Sequence, residues 1–329
     1  MKRTVIILSL VLLCFCCFPL AFRASTPRAA EYQDPSPHTT RFKRAGIRFH
    51  YLDWGGQGEV MLFLTGLGNN AHIFDDIAPL FTEEYRVLAL TRRGFGQSDI
   101  PPDGYEIDAL VGDLRKLLKK LKIQRVILVG HSVAGDELTE FAAKYPSMVS
   151  ALVYLDAAYD RSGFLSLPTD PFPPAPPTIE DLKSYDSLRN YFERSQGFWS
   201  DAQEADMRER LKFTSDGRVY AVTPDFVTDQ ILRGLPHADY TRITAPMLSI
   251  YSLEPLVHPR IPANASEADR KRGQDYWDQI RAGNLAQIEQ FKQEAPAAHV
   301  VEMEDTDHYN FIQRRRFVAR EIRSFLSSL

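Results

Sequence analysis

A serine set between small residues carries the strongest chemical signal in this sequence. Ser132 lies in the stretch Gly-His-Ser-Val-Ala at residues 130–134, after an apolar β-branched run and before a helical pattern. Residues without bulk two places before and after the serine let the backbone close into a tight strand-to-helix turn, which leaves the serine Oγ exposed at the edge of a sheet. The pattern therefore predicts a nucleophile at Ser132, with the backbone N–H of Val133 pointing into the same space. The alternative is an ordinary strand-to-helix turn with a capping serine.

This turn makes the chain resemble the α/β-hydrolase family, and three further stretches extend the resemblance. Residues 63–68 (Phe-Leu-Thr-Gly-Leu-Gly) look like the family's oxyanion strand and loop, and residues 91–99 resemble its Arg-Gly-x-Gly-x-Ser turn. Residues 305–311 stand where its C-terminal histidine belongs. The resemblance spans residues 41–329 and implies an α/β fold, with a mostly parallel central sheet and helices on both faces.

The resemblance also implies where an oxyanion would bind. A His-Gly pair usually stands in the family where Thr65 and Gly66 stand here, which puts in doubt the hydrogen bonds that the histidine would make. The backbone N–H that matters belongs to the next residue, Leu67, and it is expected to act with that of Val133. Asn69 and Asn70 each have two interpretations: a further side-chain donor to the oxyanion, or a cap for a helix predicted at 71–81. Capping is the simpler interpretation for each.

The family's chain order of nucleophile, acid and histidine points to His308 as the base. This residue follows the last predicted strand, in a polar loop before the final helix, and from there an imidazole can reach the serine, take its proton and return it to a leaving group. His131 is interpreted as packing at the turn. The remaining histidines fall in the N-terminal tether (His38), in or beside structural elements (His50, His72, His299), or in an insertion and a loop where they stay open alternatives (His237, His258).

Three carboxylates compete for the role of the acid that orients the base. Glu254 follows the strand after the insertion, which is the family's commonest location, but Pro255 occupies the expected acid position. Asp156 closes the strand after the nucleophile helix, a location seen in lipase-like members, and aspartate is the more usual acid. Asp160 is the third candidate. We favour Asp156, against the alternative that it only caps a turn.

Composition and cysteine placement exclude several other classes of protein. The net charge is −4 with no basic stripe, which argues against nucleic-acid binding. All three cysteines (Cys14, Cys16 and Cys17) lie in an N-terminal apolar run, so the rest of the chain has no disulfide, thiol or zinc–thiolate chemistry. With no dinucleotide, haem or metal motif, no cofactor is expected.

The N-terminal residues have the pattern of an export signal. Lys2 and Arg3 precede an apolar run at 5–18 that Pro19 interrupts, a length that suits a signal-peptide core better than a membrane span. No good cleavage site follows, so residues 1–24 are interpreted either as a cleaved signal or as an uncleaved anchor. Residues 25–40 would form a solvated tether, and the domain is expected outside the cytoplasm, tethered to a membrane if the N-terminal segment is not cleaved.

Apolar runs and helical patterns alternate along the domain until Asp156 and then stop. Prolines and three helical segments (179–195, 200–214 and 223–232) fill the next stretch, which predicts a helical lid inserted at about 160–242. Strands are predicted at 41–54 (an antiparallel pair), 60–64, 85–90, 126–129, 151–155, 246–251 and 299–303, and helices at 71–81, 107–121, 267–294 and 312–326.

These features predict a serine hydrolase acting through an acyl-enzyme on a small apolar ester or lactone. The resemblance argues against dehalogenase and epoxide hydrolase reactions, because those members carry aspartate where Ser132 stands. A carbon–carbon-bond hydrolase or an aminopeptidase-like enzyme uses the same fold and residues. A catalytically silent, ligand-binding member is the alternative from another class. The sequence does not indicate an oligomeric state.

Overall fold

The computed structural model describes residues 38–44, 46–163, 168–214, 219–253, 255–256 and 258–329. Its strands are β1 (His38–Arg44), β2 (Ile47–Gly55), β3 (Val60–Leu64), β4 (Arg86–Leu90), β5 (Val126–His131), β6 (Val149–Leu155), β7 (Leu211–Phe213), β8 (Val219–Ala221), β9 (Met247–Leu253) and β10 (His299–Glu304). Its α-helices are α1 (Ile107–Lys120), α2 (Ala134–Lys144), α3 (Tyr185–Gln196), α4 (Asp201–Arg210), α5 (Asp225–Arg233), α6 (Glu267–Glu294), α7 (Asn310–Gln313) and α8 (Arg315–Ser327). Residues 1–24 and most of the expected tether lie outside the described residues.

An eight-stranded sheet forms the centre of the fold, in the order β1-β2-β4-β3-β5-β6-β9-β10. β2 runs antiparallel to both of its neighbours, and the other neighbouring strands pair in parallel. β3 and β5 are buried along their whole length, which is why they appear in the sequence as continuous apolar runs. The predicted α/β fold with a mostly parallel sheet is confirmed. β1 begins at His38, slightly before the expected domain start at residue 41.

Helices cover both faces of this sheet, as predicted. On one face α1, α2 and the C-terminal half of α6 bury apolar side chains such as Leu114, Phe141 and Phe291. On the other face α8 buries Val318 and Ile322 in a second cluster. Burial of these helical stripes removes apolar surface from water and supplies the main stabilisation of the layered fold.

Two predicted helices are interrupted in the structure. The helix expected at 71–81 is two short 3₁₀ segments, Ala71–Phe74 and Ala78–Phe81. Pro79 lies at the start of the second segment, where its ring cannot donate a hydrogen bond to a carbonyl one turn earlier. The closing helix expected at 312–326 is α7 followed by α8, with a break at Arg314, whose φ of −121° is not helical.

The insertion at 160–242 contains α3, α4 and α5, and also a short antiparallel pair of strands, β7 and β8, that the sequence did not indicate. Each of these strands has only three residues, too few to show a periodic pattern. The insertion has an apolar cluster of its own, which includes Leu188, Phe192 and Met207. None of the helices in the described ranges has the length and apolar character that crossing a membrane requires.

Candidate active site

The backbone at Ser132 forms the sharp corner that the small residues predict. Ser132 joins β5 to α2 with a φ of 54°, a left-handed conformation that non-glycine residues seldom adopt. A Cβ added at Gly130 would lie 3.2 Å from the Cβ of Ala134, and one added at Gly135 would lie 2.0 Å from the carbonyl oxygen of Ala157. Bulk at either glycine would push α2 away from the sheet, so these residues permit the corner.

Ser132 and Asp156 lie side by side at the carboxyl edge of the sheet. The last residue of β5, His131, pairs with the last residue of β6, Leu155, so the two site residues directly follow paired positions. The N–H of Ser132 donates to the carbonyl of Leu155 (3.2 Å), and that of Asp156 donates to Ile250 on the next strand (2.8 Å). Carboxyl ends of neighbouring parallel strands are where open α/β sheets assemble their sites.

The Asp156 carboxylate is buried and accepts three hydrogen bonds. Its Oδ2 lies 2.5 Å from Nδ1 of His308, and its Oδ1 accepts from the Tyr159 hydroxyl (3.0 Å) and the Ser252 N–H (2.9 Å). Because the Oδ1 contacts hold the carboxylate in place, Oδ2 can orient the imidazole. The proton on Nδ1 then faces the carboxylate, and Nε2 is the ring nitrogen with a lone pair for proton transfer.

The other acid candidates are placed differently. Asp160 has its Oδ2 2.5 Å from Nδ1 of His237, and its Oδ1 accepts from the N–H of Ser162 (3.0 Å). Glu254 lies outside the described residues. Of the two aspartates considered, the structure therefore brings Asp156 to His308 and Asp160 to another histidine.

His131 does more than pack at the turn. It is fully buried, its Nε2 lies 3.1 Å from the carbonyl oxygen of His308, and the two imidazole centroids are 4.5 Å apart. Burial, together with the nearby His308, lowers the pKa of His131 well below 6.5, so the ring is neutral and Nε2 donates to that carbonyl. His131 thus supports the loop that carries His308. Its position next to Ser132 in the sequence gives no sign of this role.

Three further histidines, His50, His72 and His258, contact other groups. His50 hydrogen-bonds Thr91 (2.8 Å), and His72 lies 2.8 Å from Asp75. His258, which the sequence left open as a base, is buried with its ring stacked on Trp277 at 3.4 Å. Across the described residues, no grouping of three or more histidine, cysteine or acidic side chains has the arrangement of a metal site.

A loop of residues 65–70 passes directly beside the nucleophile. A Cβ added at Gly66 would lie 2.7 Å from Nδ1 of His131 and 3.2 Å from Cβ of Ser132. Leu67, the next residue, is half-buried, and Val133 on the other chain segment directly precedes α2. The backbone N–H groups of Leu67 and Val133, which the sequence predicts as oxyanion donors, therefore belong to segments that adjoin Ser132. The N–H of Val133 lies at the N-terminus of α2, where backbone amides favour negative charge.

Buried Arg92 holds the carbonyls of this 65–70 loop. Its Nη2 donates to the carbonyl of Thr65 (2.7 Å), its Nη1 to that of Gly66 (3.3 Å), and its Nε to Oε1 of Glu137 on α2 (2.7 Å). In the sequence, the Arg-Arg-Gly stretch at 92–94 indicates only a turn. The signal that could have revealed this role is an arginine at the end of a buried strand, because such a charge needs partners.

The side chains of the two asparagines of the 65–70 loop are hydrogen-bonded to other residues of the protein. Asn70 caps the 3₁₀ segment that follows, with its Oδ1 accepting from the N–H of His72 (3.0 Å), so the capping interpretation is correct for it. The side-chain amides of Asn69 and Asn70 both donate to Asp206, on α4 of the insertion (3.0 Å each). Asp206 was missed because it lies more than 130 residues away in sequence.

Comparison with known proteins places the chain in a family of hydrolases. A family model for the alpha/beta hydrolase fold matches residues 59–241, more than half of the chain, and the protein therefore belongs to the α/β-hydrolase fold family. The resemblance inferred from the sequence is confirmed.

Individual relatives carry several activities in their names. Epoxide hydrolase 4 of Mus musculus is 35% identical over 145 residues, which cover 42% of this chain and 40% of that protein. A serine hydrolase-like protein of Danio rerio is 33% identical over 187 residues, covering 53% of this chain and 55% of its own. The chain thus matches only about half of these relatives' lengths. The crystal structure of E-2-(acetamidomethylene)succinate hydrolase superposes with a TM-score of 0.67 at 20% identity, over 88% of this chain and 99% of that one, which shows the shared fold.

Proposed function

We propose that this protein is a serine hydrolase that cleaves a carboxylic ester or a lactone through an acyl-enzyme. In this proposal Ser132 is the nucleophile, His308 the base and Asp156 the acid that orients it. The observation that carries the proposal is the 2.5 Å contact between Nδ1 of His308 and Asp156, at the sheet edge where Ser132 occupies its strained corner. The backbone N–H groups of Leu67 and Val133 would hold the oxyanion.

The proposed reaction follows from this arrangement. As the Oγ of Ser132 bonds to the substrate carbonyl carbon, its proton moves to Nε2 of His308, and Asp156 stabilises the resulting imidazolium. The carbonyl oxygen becomes an oxyanion beside the N–H groups of Leu67 and Val133. The tetrahedral intermediate then expels the alcohol, which takes the proton from His308. A water molecule, deprotonated by His308, attacks the acyl-enzyme and releases the acid and the free serine.

A serine nucleophile favours ester chemistry over the epoxide opening that one relative's name describes. Attack of Ser132 on an epoxide carbon would form an ether, which has no carbonyl for water to attack, so the enzyme would stay alkylated. An aspartate in its place would form an ester that water can cleave. With Ser132, turnover requires a substrate that leaves an acyl group on the oxygen.

Apolar side chains beside the proposed oxyanion amides support an apolar substrate. Val133 lies in a buried cluster with Phe95, Val227 and Ile231, and Leu67 packs against that cluster. Val227 and Ile231 come from α5, so the insertion contributes part of this apolar wall. A hydrocarbon acyl or alcohol group could be removed from water here.

The experiment that tests the proposal combines covalent labelling with turnover. Wild-type protein should be labelled by a fluorophosphonate probe and should hydrolyse p-nitrophenyl esters in a chain-length series. Ser132→Ala should abolish labelling and lower kcat by roughly 10⁴–10⁶-fold, since a catalytic triad loses nearly all its effect without the nucleophile. Ser162→Ala, at an exposed serine, is the matched control and should behave as wild type.

Other outcomes of this experiment identify the alternatives. A wild-type protein that is not labelled would contradict the proposal and favour a silent, ligand-binding member. Labelling at Ser132 without ester turnover would retain the nucleophile but move the reaction to carbon–carbon or peptide bonds. Activity that survives in Ser132→Ala would show that the nucleophile is another residue.

We further propose that residues 1–24 direct the domain out of the cytoplasm, as a cleaved signal or an anchor. The support is the Lys2-Arg3 charge ahead of the apolar run at 5–18. Fractionation of expressing cells should find the domain outside the cytoplasm, and a variant that lacks residues 1–24 should stay inside. Full-length protein that is freely soluble in the cytosol would contradict this proposal.

A further inference from the structure

Asp206 is a buried carboxylate that belongs to the insertion but contacts the 65–70 loop. It lies on α4 with 2% of its surface exposed. Its Oδ1 accepts from the backbone N–H of Asn70 (2.7 Å), and its Oδ2 accepts from Nδ2 of Asn69 and from Nη1 of Arg210 (3.0 Å each). Its own carbonyl accepts from Nδ2 of Asn70 (3.0 Å). Four donors thus converge on one residue of the insertion, and three of them come from the loop.

These bonds fix the end of a very short segment. The N–H of Asn69 reaches the carbonyl of Gly66 (3.4 Å), so only Leu67 and Gly68 lie inside the turn. Gly68 has a φ of +85°, in the region that glycine tolerates best. Arg92 holds the first residues of the loop and Asp206 holds the last two. The direction of the Leu67 N–H is therefore set between two anchors, and one of them, Asp206, comes from the insertion.

A second branch links Asp206 to the loop of the base. Asn69, whose amide nitrogen donates to Asp206, accepts at its Oδ1 from the hydroxyl of Tyr309 (3.0 Å). Tyr309 directly follows His308, and its ring centroid lies 4.9 Å from that of His131. Asn69 therefore bridges the insertion to the segment that carries His308.

The two carboxylate oxygens of Asp206 suit it to this role. Burial raises its pKa, but the Arg210 guanidinium and the loop donors act against that effect. An amide at this position would keep the shape but would offer one acceptor oxygen in place of two. Its NH₂ group would then face the donors of Asn69 and Arg210, and buried donors without an acceptor are costly.

We infer that Asp206 is a positioning residue, through which the insertion sets the 65–70 loop, and with it the Leu67 N–H, against Ser132. The inference rests on the proposed function, because that function makes the Leu67 N–H an oxyanion donor. Asp206 touches no reacting atom, and it acts through Asn69 and Asn70. Its loss should therefore weaken transition-state stabilisation, which lowers kcat, and should have less effect on substrate binding.

The test compares Asp206→Asn with Glu204→Gln, a carboxylate on the same helix whose contacts lie within the insertion. For each full-length variant, kcat and KM for p-nitrophenyl esters are measured per serine labelled by the fluorophosphonate, together with Tm. Asp206→Asn should lower kcat by about 10–100-fold, less than removal of an oxyanion donor outright. KM should change by no more than about twofold, as expected when an interaction of the transition state is lost. Glu204→Gln should leave kcat unchanged.

The loop side provides a second variant should Asp206→Asn not fold. Asn69→Ala leaves the Asp206–Arg210 pair in place and removes one of the three loop bonds to Asp206 together with the Tyr309 bridge, so it should also lower kcat at nearly constant KM. An unchanged kcat per labelled serine in these variants, or a raised KM with a lower Tm, would overturn the inference and leave Asp206 as a structural tie. Failure of the proposed function is distinguishable, because the wild-type protein itself would then not be labelled.

Discussion

The two sides of Ser132 are built in different ways. On the acid–base side, Asp156 directly follows a strand that is paired with the strand before Ser132, and its donors come from Tyr159, Ser252 and His308. On the side of the 65–70 loop, a second buried aspartate is again surrounded by donors, but it comes from a helix of the insertion. Sheet pairing places the backbone of the first aspartate beside Ser132, whereas only hydrogen bonds join the second aspartate to the loop.

This difference teaches which parts of the site can vary independently. The acid–base side inherits its geometry from parallel strand pairing, which is insensitive to individual side chains. The loop side depends on hydrogen bonds that single substitutions remove. We therefore expect substitutions on the first side to affect proton transfer, and those on the second to affect alignment and docking of the insertion.

The largest effect is expected from the acid–base side. Asp156→Asn keeps the shape of the side chain but removes its charge, so His308 loses the partner that fixes its tautomer, and kcat should fall by about 10³–10⁴-fold with little change in KM. Asp160→Asn is the matched control, because Asp160 contacts His237, and it should cost far less. Near-normal kcat in Asp156→Asn would show that Asp156 is not the acid. Glu254 would then be the next candidate, and Glu254→Gln is the variant that tests it.

A third buried aspartate, Asp136, is expected to make the stability of the protein depend on pH. Asp136, on α2, has its Oδ2 3.4 Å from Nη1 of Arg161, and its buried Oδ1 finds no hydrogen-bond partner in the described parts of the chain. Burial raises the pKa of Asp136 from 3.8 to about 7, against a lowering by Arg161. The unfolded chain therefore ionises at lower pH than the folded one, so this group's contribution to stability falls as pH rises from about 4 to about 7.

Urea unfolding of the wild type and of Asp136→Asn measures this contribution. Relative to the variant, the wild type should lose up to about 4 kcal/mol of unfolding free energy across that pH range and should change little above it. Asp229→Asn, at an exposed aspartate whose pKa Arg233 lowers, serves as a control, for which the dependence should be small and of opposite sign. A stability difference between wild type and Asp136→Asn that does not vary with pH would show that Asp136 is ionised throughout.

The smallest effect is expected where the insertion meets the loop side. His72 lies between Asp75 (2.8 Å) and Glu209 of α4 (3.6 Å). Burial lowers the pKa of His72, but these two carboxylates outweigh it and raise the value to about 10. The folded state thus holds a proton that the unfolded chain releases near pH 6.5. The resulting stabilisation should be complete below that pH and should be lost as pH rises towards about 10.

His72→Gln should accordingly destabilise the protein by roughly 1.5–3 kcal/mol near pH 6 and by progressively less towards pH 10, as expected for hydrogen bonds to charged groups. Urea unfolding across this range provides the measurement. His237→Gln is the control, since the His237 side chain is 67% exposed and an exposed ion pair contributes about 1 kcal/mol or less. A penalty for His72→Gln that stays constant with pH would contradict a protonated His72.

Local sequence was enough to predict the corner at Ser132 and the architecture around it. Small residues on both sides of the serine act through steric contacts within a few residues, and the structure contains the strained backbone that they allow. Buried strands appear as continuous apolar runs and amphipathic helices as periodic ones, so the layered α/β fold could also be predicted. The predicted helix at 71–81 is interrupted at residues 75–77, just before Pro79, and a proline inside a helical pattern is a local signal for such an interruption.

Partners that are distant in sequence could not be predicted in the same way. Asp156 and Asp160 are four residues apart and chemically alike, yet one lies beside His308 and the other beside His237, because the chain turns after β6. Asp206 reaches Asn70 across 136 residues, and Arg92 reaches the carbonyl of Thr65 across 27. Hydrogen bonds form between groups within about 3 Å in space. Local pattern therefore predicts where chemistry can occur, whereas folding brings together the side chains that position it.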